Sequence, residues 1–262
     1  MDPILIASIS TVIVLIVTVL FFRCRAPRLT PKRVRSSTFV LAGAPSTGKT
    51  ALLNALVFSR VPETVTSVRE TSLTVVLSAH ASQGTSAPRV TLVDCPGSAH
   101  ARAFLPRAAA QAAAVVLVVD AAGGAPGVAA AADVLFDLLT SASVVDAAPD
   151  LLIAANKSDC AGATAPAKLL AALEAELTRL CAARSTLRTQ EDTRTARPEN
   201  GSVPLKLGGS GTFLFSNAPL RTTCVATTAI PGGVPSCSKP IKVSPAGVAG
   251  VIAFIDATLL AA

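Results

Sequence analysis

The chain contains no tryptophan, no tyrosine and only two histidines among its 262 residues, and aromatic side chains make up 3% of it. Aromatic rings are the usual platforms on which proteins stack nucleic-acid bases, so their scarcity counts against nucleic-acid binding. The six cysteines show no spacing typical of a zinc site, and in a cytosolic domain they would stay reduced. We therefore expect neither direct nucleic-acid binding nor a structural zinc site.

Positive charge is concentrated in one short segment near the N-terminus. The whole chain has a formal charge of +7, and removing six clustered bases and Asp2 from its 23 basic and 16 acidic residues leaves +2. Such a cluster beside an apolar run is suited to contact with anionic lipid headgroups. The net charge is therefore a local feature and poor evidence for a nucleic-acid partner. The six bases are Arg23, Arg25, Arg28, Lys32, Arg33 and Arg35.

The run from Ile4 to Phe22 contains 19 residues and no charge. As an α-helix it would be roughly 28 Å long, enough to cross the hydrocarbon core of a bilayer. A cleaved signal peptide would need a basic region in front, a shorter apolar core and a small-residue cleavage site. Here Asp2 precedes the run and Arg23 follows it directly. We therefore predict an uncleaved transmembrane helix over residues 4–22.

The basic residues after this span also predict its orientation. Basic segments stay on the cytoplasmic side of a membrane. Residues 1–3 would then be lumenal, residues 23–36 a basic juxtamembrane linker, and residues 37–262 a cytosolic domain. Cys24 would lie at the membrane edge, either as an unmodified thiol or palmitoylated.

Residues 43–50 match the phosphate-loop pattern G-x-x-x-x-G-K-[ST]. An apolar run at 38–42 and a helical stretch at 51–58 provide the strand–loop–helix context that the motif requires. Backbone N–H groups and the helix N-terminus of such a loop surround an anionic phosphate. The lysine would reach the β- and γ-phosphates, and the threonine hydroxyl would bind Mg²⁺. The predicted nucleotide-binding residues here are Gly43, Ala44, Pro45, Ser46, Thr47, Gly48, Lys49 and Thr50.

An N-K-x-D element follows another apolar run and indicates which base is bound. It consists of Asn156, Lys157, Ser158 and Asp159. At the end of a parallel strand, the carboxylate can accept hydrogen bonds from N1–H and the 2-amino group of guanine. Adenine lacks this donor pair and would leave polar groups unpaired. Asn156, Lys157 and Asp159 are therefore predicted to bind guanine.

A D-x-x-G element lies between these two, after an apolar run at 89–93. Asp94 would hold Mg²⁺ through water and the Gly97 N–H would contact the γ-phosphate, although alone the pattern also fits a Pro-Gly turn. A threonine between the first and third elements should close over the metal. The candidates are Thr64, Thr66 and Thr71, of which we favour Thr66. The predicted metal residues are thus Thr50, Thr66 and Asp94.

Apolar runs alternate with helical stretches along the rest of the chain. This alternation predicts one α/β domain with a doubly wound, mostly parallel sheet and ligands at the carboxyl ends of the strands. The predicted strands are 73–82, 113–119, 151–155 and 220–227, and the predicted helices are 99–112, 128–139, 165–183 and 244–260. A polar stretch at 184–211 has no periodicity and is predicted to be an insertion.

Together these residues resemble the small GTPase fold, and more closely the beta subunit family of the signal recognition particle receptor. The resemblance covers an N-terminal anchor, an Arf-like GTPase domain, the D-x-P-G form of Asp94–Gly97 and an insertion before Phe213. In the family an S-A-K-like loop after the last strand contacts the base. Thr228 and Ala229 take that place here, without a lysine. Ser238–Lys239 is the alternative, but Thr228–Ala229 follows the strand directly.

Two departures from the GTPase pattern bear on hydrolysis. After the D-x-x-G glycine, Ras-like GTPases carry glutamine and this family usually histidine, which orients the attacking water. Ser98 stands there instead and is too short. His100 could substitute for it, or could be a solvated surface histidine. Pro45 removes one phosphate-loop N–H and stiffens the loop. Both changes predict weak or partner-dependent GTP hydrolysis.

The resemblance implies a GTP- and Mg²⁺-binding subunit that holds the receptor's alpha subunit at the endoplasmic reticulum membrane for co-translational targeting. The alpha subunit would contact the switch regions through its N-terminal domain, with the ribosome or translocon nearby. The alternative is an Arf- or Sar-like vesicle-trafficking GTPase, but such proteins use a retractable amphipathic helix instead of a fixed uncharged span. A GTPase timer with real turnover would need a catalytic residue that the sequence does not show, and a pseudo-GTPase scaffold is disfavoured by the intact Gly48–Thr50.

The predicted topology can be tested with glycosylation sites that the chain already contains. Asn200 and Asn156 both begin N-x-[ST] sequences, and both should stay unmodified if the domain is cytosolic. The measurement is a glycosidase mobility shift, beside protease protection, on protein made in microsomes. Replacing the six bases with Gln and adding Lys before Ile4 should weaken or invert the topology. A glycan at Asn200, or a protected domain, in the unaltered chain would contradict the orientation.

Overall fold

A computed structural model of the chain describes residues 37–61, 67, 70–77, 88–98, 103–191, 205, 211–230, 241–242 and 245–261. These residues belong to the compact unit Arg33–Ala262. The predicted transmembrane helix at 4–22 and the whole basic linker at 23–36 lie outside the described ranges. Within those ranges, no helix combines the length and the apolar character that crossing a bilayer requires.

The domain is built around a six-stranded sheet. Its strands are β1 Thr38–Ala42, β3 Thr71–Val76, β4 Arg89–Asp94, β5 Ala114–Asp120, β6 Asp150–Asn156 and β7 Thr222–Ala226. A separate antiparallel pair consists of β2 Arg60–Val61 and β8 Ile241–Lys242. The order in the large sheet is β3-β4-β1-β5-β6-β7. Among the described residues of this sheet, β3 pairs with β4 in antiparallel orientation and all other neighbouring strands are parallel. This confirms the prediction of a mostly parallel sheet.

Helices cover both faces of this sheet. They are α1 Lys49–Phe58, α2 Leu105–Ala110, α3 Gly124–Thr140, α4 Ala142–Ala147, α5 Pro166–Glu191 and α6 Pro245–Ala261. Side chains alternate along each strand, so in β1 Val40 and Ala42 join one apolar cluster and Phe39 and Leu41 the other. The first cluster packs under α2–α5 and the second under α1 and α6. The doubly wound arrangement is therefore as predicted.

The main difference from the prediction is the length of α5. This helix continues to Glu191, whereas the sequence predicts an insertion from residue 184. Five of the eight residues from 184 to 191 are arginine, leucine, glutamine or glutamate, which are good helix formers. The Arg184 guanidinium also lies 4.2 Å from the centre of the Phe136 ring and 3.6 Å from a carboxylate oxygen of Asp137. The predicted end of this helix at residue 183 is therefore wrong, and the insertion over 184–211 stays a prediction.

Smaller differences occur at other element boundaries. The helix predicted from residue 99 begins at Leu105, where Pro106 occupies the first turn, the one place in a helix that tolerates proline. The edge strand is Thr71–Val76, so it begins two residues before the predicted 73–82 and ends before Leu77, and residues 78–82 of that prediction lie outside the described residues. The short α4 ends at Ala147 and is followed by Ala148 with a φ of 46°; it has no counterpart among the predicted elements.

Candidate nucleotide-binding site

The predicted phosphate loop joins β1 to α1 at the carboxyl edge of the sheet. Gly48 begins the helix with a φ of 91°, in the left-handed region that favours glycine. A Cβ atom at Gly48 would lie 2.4 Å from Nδ2 of Asn156. Any other residue at this position would thus be strained by its own backbone and would also collide with a side chain from β6.

The Lys49 side chain folds back over this loop. Its ammonium donates a hydrogen bond of 2.6 Å to the Ala44 carbonyl, and the Thr47 hydroxyl donates to the same oxygen at 3.0 Å. Lys49 is only 6% exposed, and this burial lowers its pKa, against the attraction of Asp94. The ammonium is therefore held inside the loop, where a phosphate group would be bound.

Three oxygen-bearing side chains meet beside the first turn of α1. The Thr50 hydroxyl donates to Oδ2 of Asp94 at 2.7 Å and lies 2.9 Å from the Ser67 hydroxyl. Ser67 also donates to Asp94 Oδ2 at 3.4 Å. Burial raises the pKa of Asp94, against the effects of the Thr50 hydrogen bond and the Lys49 charge. These hydroxyl and carboxylate oxygens form one compact group.

This group fits Mg²⁺. The buried Oδ1 of Asp94 has no hydrogen-bond partner among the described residues, which leaves one carboxylate oxygen available. Hard oxygen ligands suit Mg²⁺, which proteins hold through one or two carboxylates together with phosphate oxygens. The described part of the chain contains no group of three His, Cys, Asp or Glu side chains that could hold a metal alone. The bound ion would therefore depend on phosphates as well as on Thr50, Ser67 and Asp94.

Gly97, the last residue of the D-x-x-G element, packs directly on the phosphate loop. A Cβ atom there would lie 2.6 Å from the nitrogen of Pro45 and 2.7 Å from the carbonyl carbon of Ala44. Only glycine permits this close approach. The segment after β4 and the phosphate loop therefore touch through their backbones, so a change in one must affect the other.

Asn156 joins the phosphate loop to the loop after β7. Its Nδ2 donates to the Thr47 carbonyl at 2.8 Å, and its Oδ1 accepts the Ala229 N–H at 3.1 Å. The side chain is buried, with 2% exposed. Asn156 is therefore a bridge between loops, a role beyond the base contact that the motif predicts.

Lys157 makes a second connection to the phosphate loop. Its ammonium donates to Oδ2 of Asp120 at 2.5 Å and to the Ser46 carbonyl at 3.2 Å. Asp120 ends β5, and its Oδ1 accepts the Ala122 N–H at 3.0 Å. The ends of β5 and β6 are thus tied to the phosphate loop by one ammonium group.

The loop after β7 is held against the N-K-x-D element. The Ser158 hydroxyl donates to the Thr227 carbonyl at 2.9 Å and lies 3.2 Å from the Thr228 hydroxyl. The Thr228 N–H donates to the Gly247 carbonyl at 2.9 Å, which links this loop to α6. Thr228 and Ala229 therefore lie next to the N-K-x-D loop, where a base-contacting turn must lie.

The structure brings most predicted site residues to one edge of the sheet. Asp159 follows in the same loop and is exposed. Thr71 is the first residue of β3. Two side chains that were not predicted also belong to the site. Ser67 lies in the sequence between the predicted threonine candidates, and Asp120 carries a carboxylate at the end of a strand. The predicted residues Thr66 and His100, with the alternatives Thr64 and Ser238–Lys239, lie outside the described residues.

Comparison with known families agrees with this geometry. The family described as signal recognition particle receptor beta subunit matches residues 34–204. The chain belongs to this family. The human signal recognition particle receptor subunit beta is 31% identical over 226 residues, which cover 84% of this chain and 76% of the human protein. Its Mus musculus counterpart is 30% identical over 226 residues, covering 84% and 77%.

Solved structures show the same fold. The structure of the mammalian SRP receptor matches with a TM-score of 0.57 at 28% identity, covering 73% of this chain and 91% of that chain. The SRb-GTP/SRX complex from Chaetomium thermophilum matches with a TM-score of 0.58 at 19% identity, covering 75% and 94%. The SRb-GDP-Mg structure from Chaetomium thermophilum has a TM-score of 0.53 at 20% identity and coverages of 75% and 90%.

Replacing Asp94 with Asn should shift the Mg²⁺ dependence of nucleotide binding to higher Mg²⁺ concentrations. The amide keeps the size of the side chain but loses the charge that attracts the cation. Mg²⁺ affinity in the nucleotide complex should fall by about 10- to 100-fold. The measurement is release of a fluorescent GDP analogue across a Mg²⁺ titration. Asp146→Asn, which changes an exposed carboxylate on α4, is the matched control, and an unaltered Mg²⁺ response in Asp94→Asn would contradict the assignment.

Proposed function

We propose that this chain is the membrane-anchored, GTP-binding subunit of a signal recognition particle receptor, which docks the alpha subunit at the endoplasmic reticulum. The observation that carries the proposal is the convergence of Lys49, Thr50 and Asp94 with the N-K-x-D loop at one edge of a sheet in a member of this family. Each group has the chemistry that one part of GTP requires.

The phosphate end of GTP would lie against the phosphate loop. Lys49 would neutralise the β- and γ-phosphates, and backbone N–H groups of the loop would donate to their oxygens. Thr50, Ser67 and Asp94 would hold Mg²⁺, which when bound supplies charge neutralisation between the phosphates. Thr66, predicted from the sequence, remains a second candidate for the switch hydroxyl beside Ser67.

The base end would lie between the N-K-x-D loop and the loop after β7. Asp159 would accept hydrogen bonds from N1–H and the 2-amino group of guanine, which adenine cannot donate. Lys157, pinned to the phosphate loop, would lie along the base, and Thr228–Ala229 would close the pocket from the other side. Asn156 keeps these two loops at a fixed separation.

The partner proposal is supported by a related complex. The Chaetomium thermophilum protein was solved as an SRb-GTP/SRX complex. We infer that the alpha subunit likewise binds this chain in its GTP form. Ser67 contacts Asp94, and Gly97 packs on the phosphate loop. Both would therefore lie beside a bound γ-phosphate, and GTP would order their two segments together. The conformation of a surface made of these two segments would then depend on which nucleotide is bound.

The membrane part of the proposal depends on residues 4–22 as the anchor and on the basic linker at 23–36. A fixed anchor keeps the subunit at the membrane in both nucleotide states. GTP would then control only whether the alpha subunit is held there, and not where the beta subunit resides. The relatives' shared function at the receptor is consistent with this arrangement.

Docking should depend on GTP. The full chain, purified in detergent and loaded with a non-hydrolysable GTP analogue, should bind the N-terminal domain of the alpha subunit at least about tenfold more tightly than the GDP-loaded chain. Because coupling between two sites is reciprocal, the partner should raise the affinity for GTP by the same factor. Isothermal titration of both loaded forms measures the ratio, and equal affinities would refute the proposal.

Intrinsic hydrolysis should be slow. Pro45 has no N–H to donate to a phosphate oxygen, and Ser98 is too short to orient water. Single-turnover kinetics of the chain alone should give a rate on the order of 10⁻⁴ s⁻¹ or less, as in unstimulated small GTPases.

The same kinetics on two variants of Ser98 test the second of these causes. Ser98→Ala should leave the rate unchanged because the serine does not assist the reaction, whereas Ser98→Gln should raise it if the new side chain reaches the water. A wild-type rate of about 1 s⁻¹ or more, typical of stimulated GTPases, would mean that a catalytic group has been missed.

A further inference from the structure

We propose that Asp120 is a positioning residue for nucleotide retention, which acts by holding the Lys157 ammonium against the phosphate loop. The proposal rests on the guanine-nucleotide site proposed above. Asp120 is not part of the phosphate-loop pattern, the D-x-x-G pattern or the N-K-x-D pattern. Its role comes from the topology, which places the last residue of β5 beside the N-K-x-D loop.

The Asp120 carboxylate is held in place by contacts other than the one with Lys157. Asp120 pairs in register with Asn156 at the end of adjacent parallel strands. The Ala121 N–H donates to the Asn156 carbonyl at 2.9 Å, which fixes the backbone at that point. The Ala122 N–H donates to Oδ1 at 3.0 Å, which fixes the rotamer of the carboxylate. Oδ2 is therefore directed at one place.

The Lys157 ammonium occupies that place and reaches the phosphate loop from it. It donates to Asp120 Oδ2 at 2.5 Å and to the Ser46 carbonyl at 3.2 Å. Lys157 and Ser46 both have a φ of 61°, an uncommon backbone conformation for residues other than glycine. The Lys157 ammonium therefore connects two residues with strained backbones, Lys157 and Ser46. The Asp120 carboxylate is the charged acceptor of that ammonium group.

The ion pair between Lys157 and Asp120 contributes little to the stability of the fold. The two side chains are 38% and 21% exposed, and ion pairs that solvent reaches contribute little to folding. Their value lies in geometry. A lysine has a flexible four-carbon stem, and without a fixed carboxylate it would hold the Ser46 carbonyl only part of the time. The phosphate loop and the base-side loop would then separate more often, and a nucleotide that spans both would leave faster.

Asp120→Asn isolates this contribution. The amide can still accept the Ala122 N–H but no longer attracts the ammonium. In the full chain, a fluorescent GDP analogue should dissociate about two- to tenfold faster, as expected for the loss of one ordinary hydrogen bond. Asp120→Glu restores the charge and should recover part of the retention.

Glu176→Gln is the matched control. It removes the partner of Arg179 in an exposed pair on α5, where the closest contact is 2.6 Å, and it should leave release at the wild-type rate. A double-mutant cycle then tests the route. If Asp120 acts through Lys157, Asp120→Asn should accelerate release no further in a Lys157→Met background.

Three results would overturn the proposal. They are wild-type release in Asp120→Asn, independent effects in the cycle, and a loss of thermal stability in Asp120→Asn that Asp120→Glu does not recover. If the wild-type chain bound no guanine nucleotide, both this proposal and the proposed function would fail. Binding by the wild type with unaltered release in Asp120→Asn would remove only the Asp120 proposal.

Discussion

The two hydrogen bonds of the Asn156 side chain hold the halves of the site together. They join the Thr47 carbonyl to the Ala229 N–H across sequence separations of 109 and 73 residues. Because the amide is buried, removing it would leave polar groups unsatisfied at a cost of about 1–3 kcal/mol each. The same contact requires glycine at position 48, since a Cβ there would meet Nδ2 at 2.4 Å. The Asn156 amide thus positions the phosphate loop and the turn after β7, and it requires glycine at position 48.

Burial gives the site its electrostatic character. Lys49 and Asp94 are both almost fully buried, and burial shifts the pKa of each toward the neutral form. Water-excluded charges interact strongly with whatever ions reach them. A phosphate beside Lys49 and a divalent cation beside Asp94 would reverse both pKa shifts and stabilise the folded domain through binding. Nucleotide binding and domain stability are therefore linked through the same two side chains.

The sequence predicts those parts of the site whose chemistry is local. The phosphate loop, Asp94 and Asn156 follow from short patterns beside apolar runs, and strand alternation predicts the doubly wound sheet. Asp120 could not be found in this way, because its partner is 37 residues away and only the pairing of β5 with β6 brings them together. Ser67 differs from the favoured threonine by one position, a distinction that needs the path of the chain. The extension of α5 is a tertiary effect, supported by contacts of Arg184 with Phe136 and Asp137.

Reading the nucleotide state and hydrolysing the nucleotide require different atoms. Detecting the nucleotide state needs a backbone N–H that contacts the γ-phosphate and a switch hydroxyl near the metal. In the proposed function Gly97, which packs on the phosphate loop, and Ser67, which contacts Thr50, would supply them. Hydrolysis also needs a side chain that orients water, and the residue after Gly97 is a serine. In the proposed function the lifetime of the GTP state would then be set by release more than by chemistry. Release depends on how firmly the two loops are joined, which gives the contacts of Asn156 and Lys157 their importance.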